Sequence, residues 1–422
     1  MPLPLLVLVA LGAHAENKSA AWMQFTSGGS FEVRAVASGE CPVVSFNGAP
    51  PTAMLERASS DANFPSLCGL EVPANTKSVR LQRPDGSGLE LSPPVSDPRR
   101  ILVLGDTGCR IKGSTVQACN DPVAWPFAGL ASAAANLKPD LVIHLGDYLY
   151  RESPCPPGNA GCSGSPFGDN WPSWNADFFV PASPLLAAAP WLFVRGNHED
   201  CSRGGAGFLR LLGPIAFHSE QQCQNHLEPF ALNAGDQTIL VLDNASASDT
   251  SVEDASVAVY RADFAELEAM EEARPGQAMW LAAHRPIWAA ISGPLGIPIG
   301  GNATLIAASG DLSAFRGLSL MLSGHIHTFE AINYQAKLPP QIVAGHGGDN
   351  LDRTPADLRG AIFQGHSGVS VKDGLSVAGF GFLLLSRDAG SRSWSIQLYD
   401  SSGMPKRECQ FADGRVACPS GK

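Results

Sequence analysis

Five stretches of this sequence end an apolar run in residues that can bind a metal. "ILVLGDTG" delivers Asp106, and "LVIHLGDYLY" delivers Asp147 and Tyr150. "WLFVRGNHE" delivers Asn197, His198 and Glu199, "MWLAAHRP" delivers His284, and "LSLMLSGHIH" delivers His325 and His327. The donors sort by hardness. Two carboxylates and a phenolate suit a hard trivalent ion, whereas imidazoles and a neutral carbonyl suit a borderline divalent one. One carboxylate bridging both ions would build a two-metal clamp for an in-line displacement, with the ions about 3.5–4 Å apart. Singly, each residue has a plainer reading: Asp106, Asp147 and Asn197 as turn residues, His284 as a core histidine, Tyr150 as packing. The ordered set carries the metal reading.

The five runs lie far apart in sequence, so a sheet must gather their ends, because ligands collect at the carboxyl ends of strands in α/β sheets. From residue 99 onward, apolar runs alternate with helical stretches such as "PFAGLASAAANLKPD" and "VYRADFAELEAMEEARPG". That alternation predicts an α/β layered domain over residues 98–422. The glycines before Asp106, Asp147, Asn197 and His325 are expected to let the backbone turn sharply there. Residues 151–190, rich in Pro, Gly, Ser and Trp, read as a long, mostly irregular excursion of the functional kind. His144 reads as structural, and His346, after another strand-like run, as a residue bordering the site.

Residues 16–97 have a different texture: short alternating segments such as "SFEVRAVAS" and "KSVRLQRP", separated by Gly, Pro, Asn and Asp. These predict a small all-β sandwich folding separately, joined by the linker "SPPVSDPRR". Residues 1–15 are apolar, carry no Asp, Glu, Lys or Arg, and end in Ala13-His14-Ala15, the pattern of a signal peptide. The competing reading is a buried first strand. The ten cysteines all follow that segment. With no CxxC present, they read as a disulfide framework of an exported protein, secreted or periplasmic. Neighbour pairing is one connectivity among many. A net charge of −11 argues against a nucleic-acid binder, and no later stretch predicts a membrane span.

The set GDTG, GDYLY, GNHE, AAHRP and GHIH resembles the calcineurin-like metallophosphoesterases, and within them the purple acid phosphatase branch, over about residues 99–400. The marks of that branch are the GDxG motif in place of Asp-x-His and Tyr150 three residues after Asp147. The resemblance implies an α/β layered fold of two mixed β-sheets flanked by helices. It implies Fe(III) on Asp106, Asp147, Tyr150 and His327, and a divalent metal (Zn, Mn or Fe) on Asp147, Asn197, His284 and His325. It also implies that His198 orients phosphate and assists the leaving group, with Glu199 fixing its tautomer, in metal-dependent hydrolysis of a small phosphate ester by a metal-activated hydroxide. The sequence departs from the branch in one respect: "HRPIWAAISGPLG" lacks a further histidine, and Ser292 stands nearest. Leaving-group protonation then falls to His198 or to water. Monoesterase, phosphodiesterase and nucleotidase stay open, as does a non-catalytic binding protein, which the intact ligand set disfavours.

Overall fold

A computed structural model of the chain describes residues 20–218, 223–310, 312, 315–335, 337–364 and 368–419. The expected leader, residues 1–15, lies outside them. Two sheets face each other. The middle of the first is the parallel trio Arg100–Leu104, Leu141–His144 and Trp191–Phe193. The middle of the second is the parallel set Gln237–Leu242, Ala278–Ala283, Leu318–Ser323 and Gln341–Ala344. Antiparallel strands flank both, so each sheet is mixed.

The alternation of side chains along a strand explains the layering. In "RILVL", Ile101 and Val103 point between the sheets, where they meet Trp280, Leu320 and Ile342. Leu102 and Leu104 point the other way, onto Leu130 and Ala134 of helix Phe127–Asn136 and Leu185 of helix Val180–Ala188. The far face of the second sheet is covered by Tyr260, Phe264 and Leu267 of helix Asp254–Glu272. Burial on both faces is why these strands read as unbroken apolar runs. Each fully buried Leu or Ile contributes about 1.5–3 kcal/mol. The result is the expected α/β layered fold, helix–sheet–sheet–helix. No helix among the described residues is long and apolar enough to cross a membrane.

Two expectations need correction. Residues 151–190 are irregular only in their first half. Asn170 caps a helix at Trp171–Trp174 by accepting from Ser173 N, and a π-turn at Asn175–Phe179 leads into helix Val180–Ala188. The Trp and Phe residues of this stretch are core, with Trp174, Phe178 and Phe179 all buried.

The N-terminal region does form a sandwich, with its own core of Met23, Val33, Val44, Val79 and Leu81. It is not a separate body. Strand Ala21–Phe25 pairs in parallel with Trp191–Phe193, so one sandwich sheet is the continuation of the first sheet. Buried polar groups cross the join. Gln24 Nε2 donates to Leu212 O at 2.8 Å, and the fully buried Arg34 donates to Leu211 O (2.8 Å) and Gly213 O (2.9 Å). Separating the two would strand these groups, a cost that buried polar atoms rarely bear.

All ten cysteines are paired with their sequence neighbours: Cys41–Cys68, Cys109–Cys119, Cys155–Cys162, Cys201–Cys223 and Cys409–Cys418.

Candidate metal centre

The ends of the central strands meet at one place, and the backbone there is strained. Asp106 (φ 57°), Asp147 (φ 60°) and His325 (φ 68°) all adopt the left-handed conformation. For residues with a side chain that conformation costs about 1–3 kcal/mol each and clusters at functional sites. Sequence reasoning assigned the sharp turns to the preceding glycines. Of those four only Gly146 has positive φ (97°). Gly196 and Gly324 serve another need: a Cβ there would collide with the Asp147 backbone and with Asp106 Oδ2 respectively. The first two loops interlock, since Asp106 N donates to Gly146 O (2.9 Å) and Thr107 N to Asp147 O (3.0 Å).

The seven candidate ligands converge as two groups that share Asp147. In the first, Tyr150 Oη lies 2.7 Å from Asp147 Oδ2, 3.2 Å from Asp106 Oδ1 and 3.1 Å from His327 Nε2. In the second, His284 Nε2 lies 3.3 Å from Asp147 Oδ2 and 3.0 Å from Asn197 Oδ1. Asp147, His284 and His325 bring one donor atom each within 4.8 Å of one another. All are buried except His325, which is partly open.

The donor set fits two ions. His284 Nδ1 donates to Leu145 O (2.7 Å) and His327 Nδ1 to Asn350 O (2.7 Å), which fixes both tautomers with Nε2 facing the cluster. His325 Nε2 is taken by Asp249 Oδ2 at 2.9 Å, which leaves its Nδ1. The local field favours positive charge. Burial pulls His284 down, yet Asp147 and Asp106 lift it to about 9. Burial likewise opposes, and Asp349 and Asp106 outweigh it, lifting His327 to about 10. Burial, then Asp147 and Asp106, push the Tyr150 phenol well above its ordinary value. A cation of high charge is what would make it a phenolate.

His198 sits over this cluster. Its backbone N–H donates to Asp147 Oδ1 (2.8 Å), its ring packs on Tyr150 at 3.9 Å, and its Nε2 lies 3.9 Å from Asp147 Oδ2. The expected tautomer partner is wrong. Glu199 accepts instead from the backbone N–H groups of Gly196, Asp147, Tyr148 and Leu149 at 2.8–3.1 Å. It is a brace for the GDYLY loop. Burial and then Asp147 hold its pKa above the usual carboxylate range. Nearest to the His198 ring is Glu152, whose Oε1 stands 2.6 Å from Nδ1 as an ion-pair contact rather than an aligned hydrogen bond. Burial would raise Glu152, but His198, Lys112 and Arg203 hold it at about 2.

Four other residues escaped the sequence reading. Asp177 accepts from Tyr150 N (2.8 Å), Cys109 N (3.0 Å) and Arg151 Nε (2.7 Å), tying the GDTG and GDYLY loops together. Asp349 binds Arg110 (Nε, 2.9 Å), whose guanidinium lies 4.6 Å over the Tyr150 ring. Asp249, the fourth, holds His325. The strand-end rule would have pointed to Asp243, which directly follows strand Gln237–Leu242, and not to Asp249 seven residues past its end. Asp177, on a π-turn, had no such signal. His144 is structural as expected, bonded to Thr107 Oγ1 at 2.9 Å. His346 is buried without a partner for either ring nitrogen, and burial lowers it to about 3. It packs near Phe329 at 6.3 Å rather than lining the ligand cluster.

The sequence profile of the calcineurin-like phosphoesterases matches residues 99–329, more than half of the chain. No curated protein matches the sequence. Among solved structures, purple acid phosphatase PPD1 from yellow lupin (Lupinus luteus) seeds matches with TM-score 0.57 at 14% identity, covering 96% of this chain and 77% of that one. A structure of PhoD matches with TM-score 0.57 at 12% identity, covering 96% and 92%. At such identities these two likenesses speak for a common fold, the one expected of the purple acid phosphatase-like branch. With the profile match laid over the ligand cluster, the chain belongs to the calcineurin-like phosphoesterases and is a metal-dependent phosphoric ester hydrolase.

Proposed function

We propose that this chain is an exported dinuclear-metal phosphatase. Asp106, Asp147, Tyr150 and His327 hold Fe(III), and Asp147, Asn197, His284 and His325 hold a divalent metal, Zn, Mn or Fe. The observation that carries the reading is the position of Asp147 Oδ2, 2.7 Å from Tyr150 Oη and 3.3 Å from His284 Nε2, common to both donor groups. When bound, such an ion pair acidifies water and neutralises phosphate charge. The ions' formal charge exceeds that of two carboxylates and a phenolate, so an anionic ester is attracted despite the acidic chain.

The protein's part is orientation and proton placement. Glu152 stands on the Nδ1 side of His198 and Nε2 faces the cluster, the position from which a ring N–H would reach the phosphate or the departing oxygen. His198 and Glu152 supply the acid function that a further histidine would otherwise share. Glu199 and Asp177 act as positioning residues, because they hold the loops carrying Asp147 and Tyr150. Export is supported by five disulfides, which persist in oxidising compartments.

The test is metal analysis of purified protein combined with a panel of phosphate monoesters and diesters. Two metals per chain, one of them iron, with ester hydrolysis lost on chelation, is the expected result. A fully metal-loaded protein that hydrolyses no ester would sink the proposal.

A further inference from the structure

We infer that the preferred substrate is a phosphate ester of a neutral, apolar alcohol or phenol about the size of a fused two-ring system, and that its leaving group sits in a cavity beside His325. The inference rests on the phosphatase reading and adds the substrate class to it.

A cavity of about 230 Å³ opens next to the divalent side of the cluster, with His325 and Asp249 in its wall. Its other walls are mostly apolar: Pro286, Ile291, Ile299 and Ile326. The hairpin Ala290–Ser292 and Pro298–Gly300 builds it, and Ile291 stands directly opposite Ile299 in the antiparallel pair. Directly opposed residues present their side chains on one face, so the two isoleucines form a single apolar wall. This hairpin follows His284-Arg285-Pro286 at once. It occupies the stretch in which the resemblance leads one to expect a further histidine. Where a further histidine was anticipated, the nearest polar side chain is Ser292, and its neighbour Ile291 faces Ile299.

Size and charge narrow the ligand. An apolar cavity of about 150 Å³ holds benzene, so this one has room for a larger ring system or a branched chain. Asp249 and Asp352 border the cavity. Asp249 is committed to Arg285 and His325, and Asp352 Oδ2 accepts from His327 N at 2.9 Å. Among the described residues that line the cavity there is no Lys or Arg, so nothing in its wall pairs with an anionic leaving group. Nucleoside di- and triphosphates and carboxylated alcohols are therefore disfavoured, which bears on the nucleotidase alternative.

The experiment compares kcat/KM of the holoenzyme on 2-naphthyl phosphate, 4-carboxyphenyl phosphate and glycerol phosphate. It also titrates 2-naphthol, by its own fluorescence, onto the same holoprotein. The wild type should favour the naphthyl ester over the carboxyphenyl ester by about 10-fold or more, in line with burying one ring's apolar surface, and should bind naphthol. Ile299→Asp should collapse that ratio towards unity and abolish naphthol binding. Ile291→Ala, a milder change should the first fail to fold, should cut the ratio about threefold. An unchanged ratio in a folded, metal-replete variant overturns the pocket while leaving hydrolysis standing. A metal-replete wild type that binds naphthol yet hydrolyses none of the esters overturns the phosphatase reading, and the substrate class with it.

Discussion

Tyr150 Oη and Asp147 Oδ2 lie 2.7 Å apart, three residues separated on one turn of chain. That turn is held from below by Asp177 and Glu199. A phenol and a carboxylate are thus fixed side by side with Asp106 and His327 around them, three oxygen donors and one imidazole.

The first prediction concerns colour. A phenolate on Fe(III) absorbs in the visible, so iron-loaded oxidised protein should be violet to pink. Tyr150→Phe should remove that band and weaken iron retention, while a divalent ion stays on the His284 side. Active, colourless protein carrying two zinc or manganese ions, read by visible absorption and metal content, would refute the ferric assignment.

Proton placement gives the second. His198→Ala should lower kcat by roughly a hundredfold or more, the scale of one acid–base group, with metal content unchanged. Glu152→Gln should act in the same direction, by roughly tenfold, since it leaves the imidazole in place but loosens its orientation. The effect should grow as the leaving group worsens. Equal losses on aryl and alkyl esters would argue that His198 only binds phosphate.

The third tests the continuity of the first sheet. A chain starting at residue 98 should be insoluble or strongly destabilised, because it bares the edge of strand Trp191–Phe193 and the carbonyls of Leu211 and Gly213. Arg34→Ala alone should cost about 1–3 kcal/mol for the unsatisfied carbonyls, measured by denaturant unfolding. A soluble, metal-replete residue 98–422 fragment with wild-type Tm would restore the separable domain.

Glu330 supplies a fourth. It is fully buried, its Oε1 has no partner, and burial holds its pKa at about 8, far above an unfolded glutamate. The folded state therefore keeps a proton that the unfolded state releases. Stability is fully present below the unfolded pKa of about 4.5 and falls as pH rises towards about 8. Glu330→Gln should remove this slope, so the Tm difference between variant and wild type should widen from pH 5 to pH 8. Parallel Tm curves would contradict it.

The candidate ligands were legible because a carboxylate or imidazole at a strand end leaves an abrupt signature: apolar run, glycine, polar donor. The helices Phe127–Asn136 and Asp254–Glu272 were legible from their spacing. What stayed hidden has a common cause. Alternation in Ala21–Phe25 tells which faces are buried, not which strand lies alongside, so its pairing with Trp191–Phe193 could not be read. Glu152 and Asp177 act through partners distant in sequence, and Glu199, adjacent to His198, turned out to face the backbone of another loop. Hydrogen-bond direction at a strained turn is a property of the assembled site.

The interior position of strand Ala21–Phe25 also sets an order of events. Its antiparallel neighbour Phe31–Ala37 is made at once, but its parallel neighbour Trp191–Phe193 is made far later. At about 5–20 residues per second of synthesis, the wait is on the order of ten seconds. Throughout that time the strand offers an unpaired, apolar edge of the kind that templates aggregation. Cys41 and Cys68 both precede the gap, so the early hairpins can be locked while the edge is still open. A ribosome that stalls before residue 191 leaves a half-sheet with nothing of its own to close it.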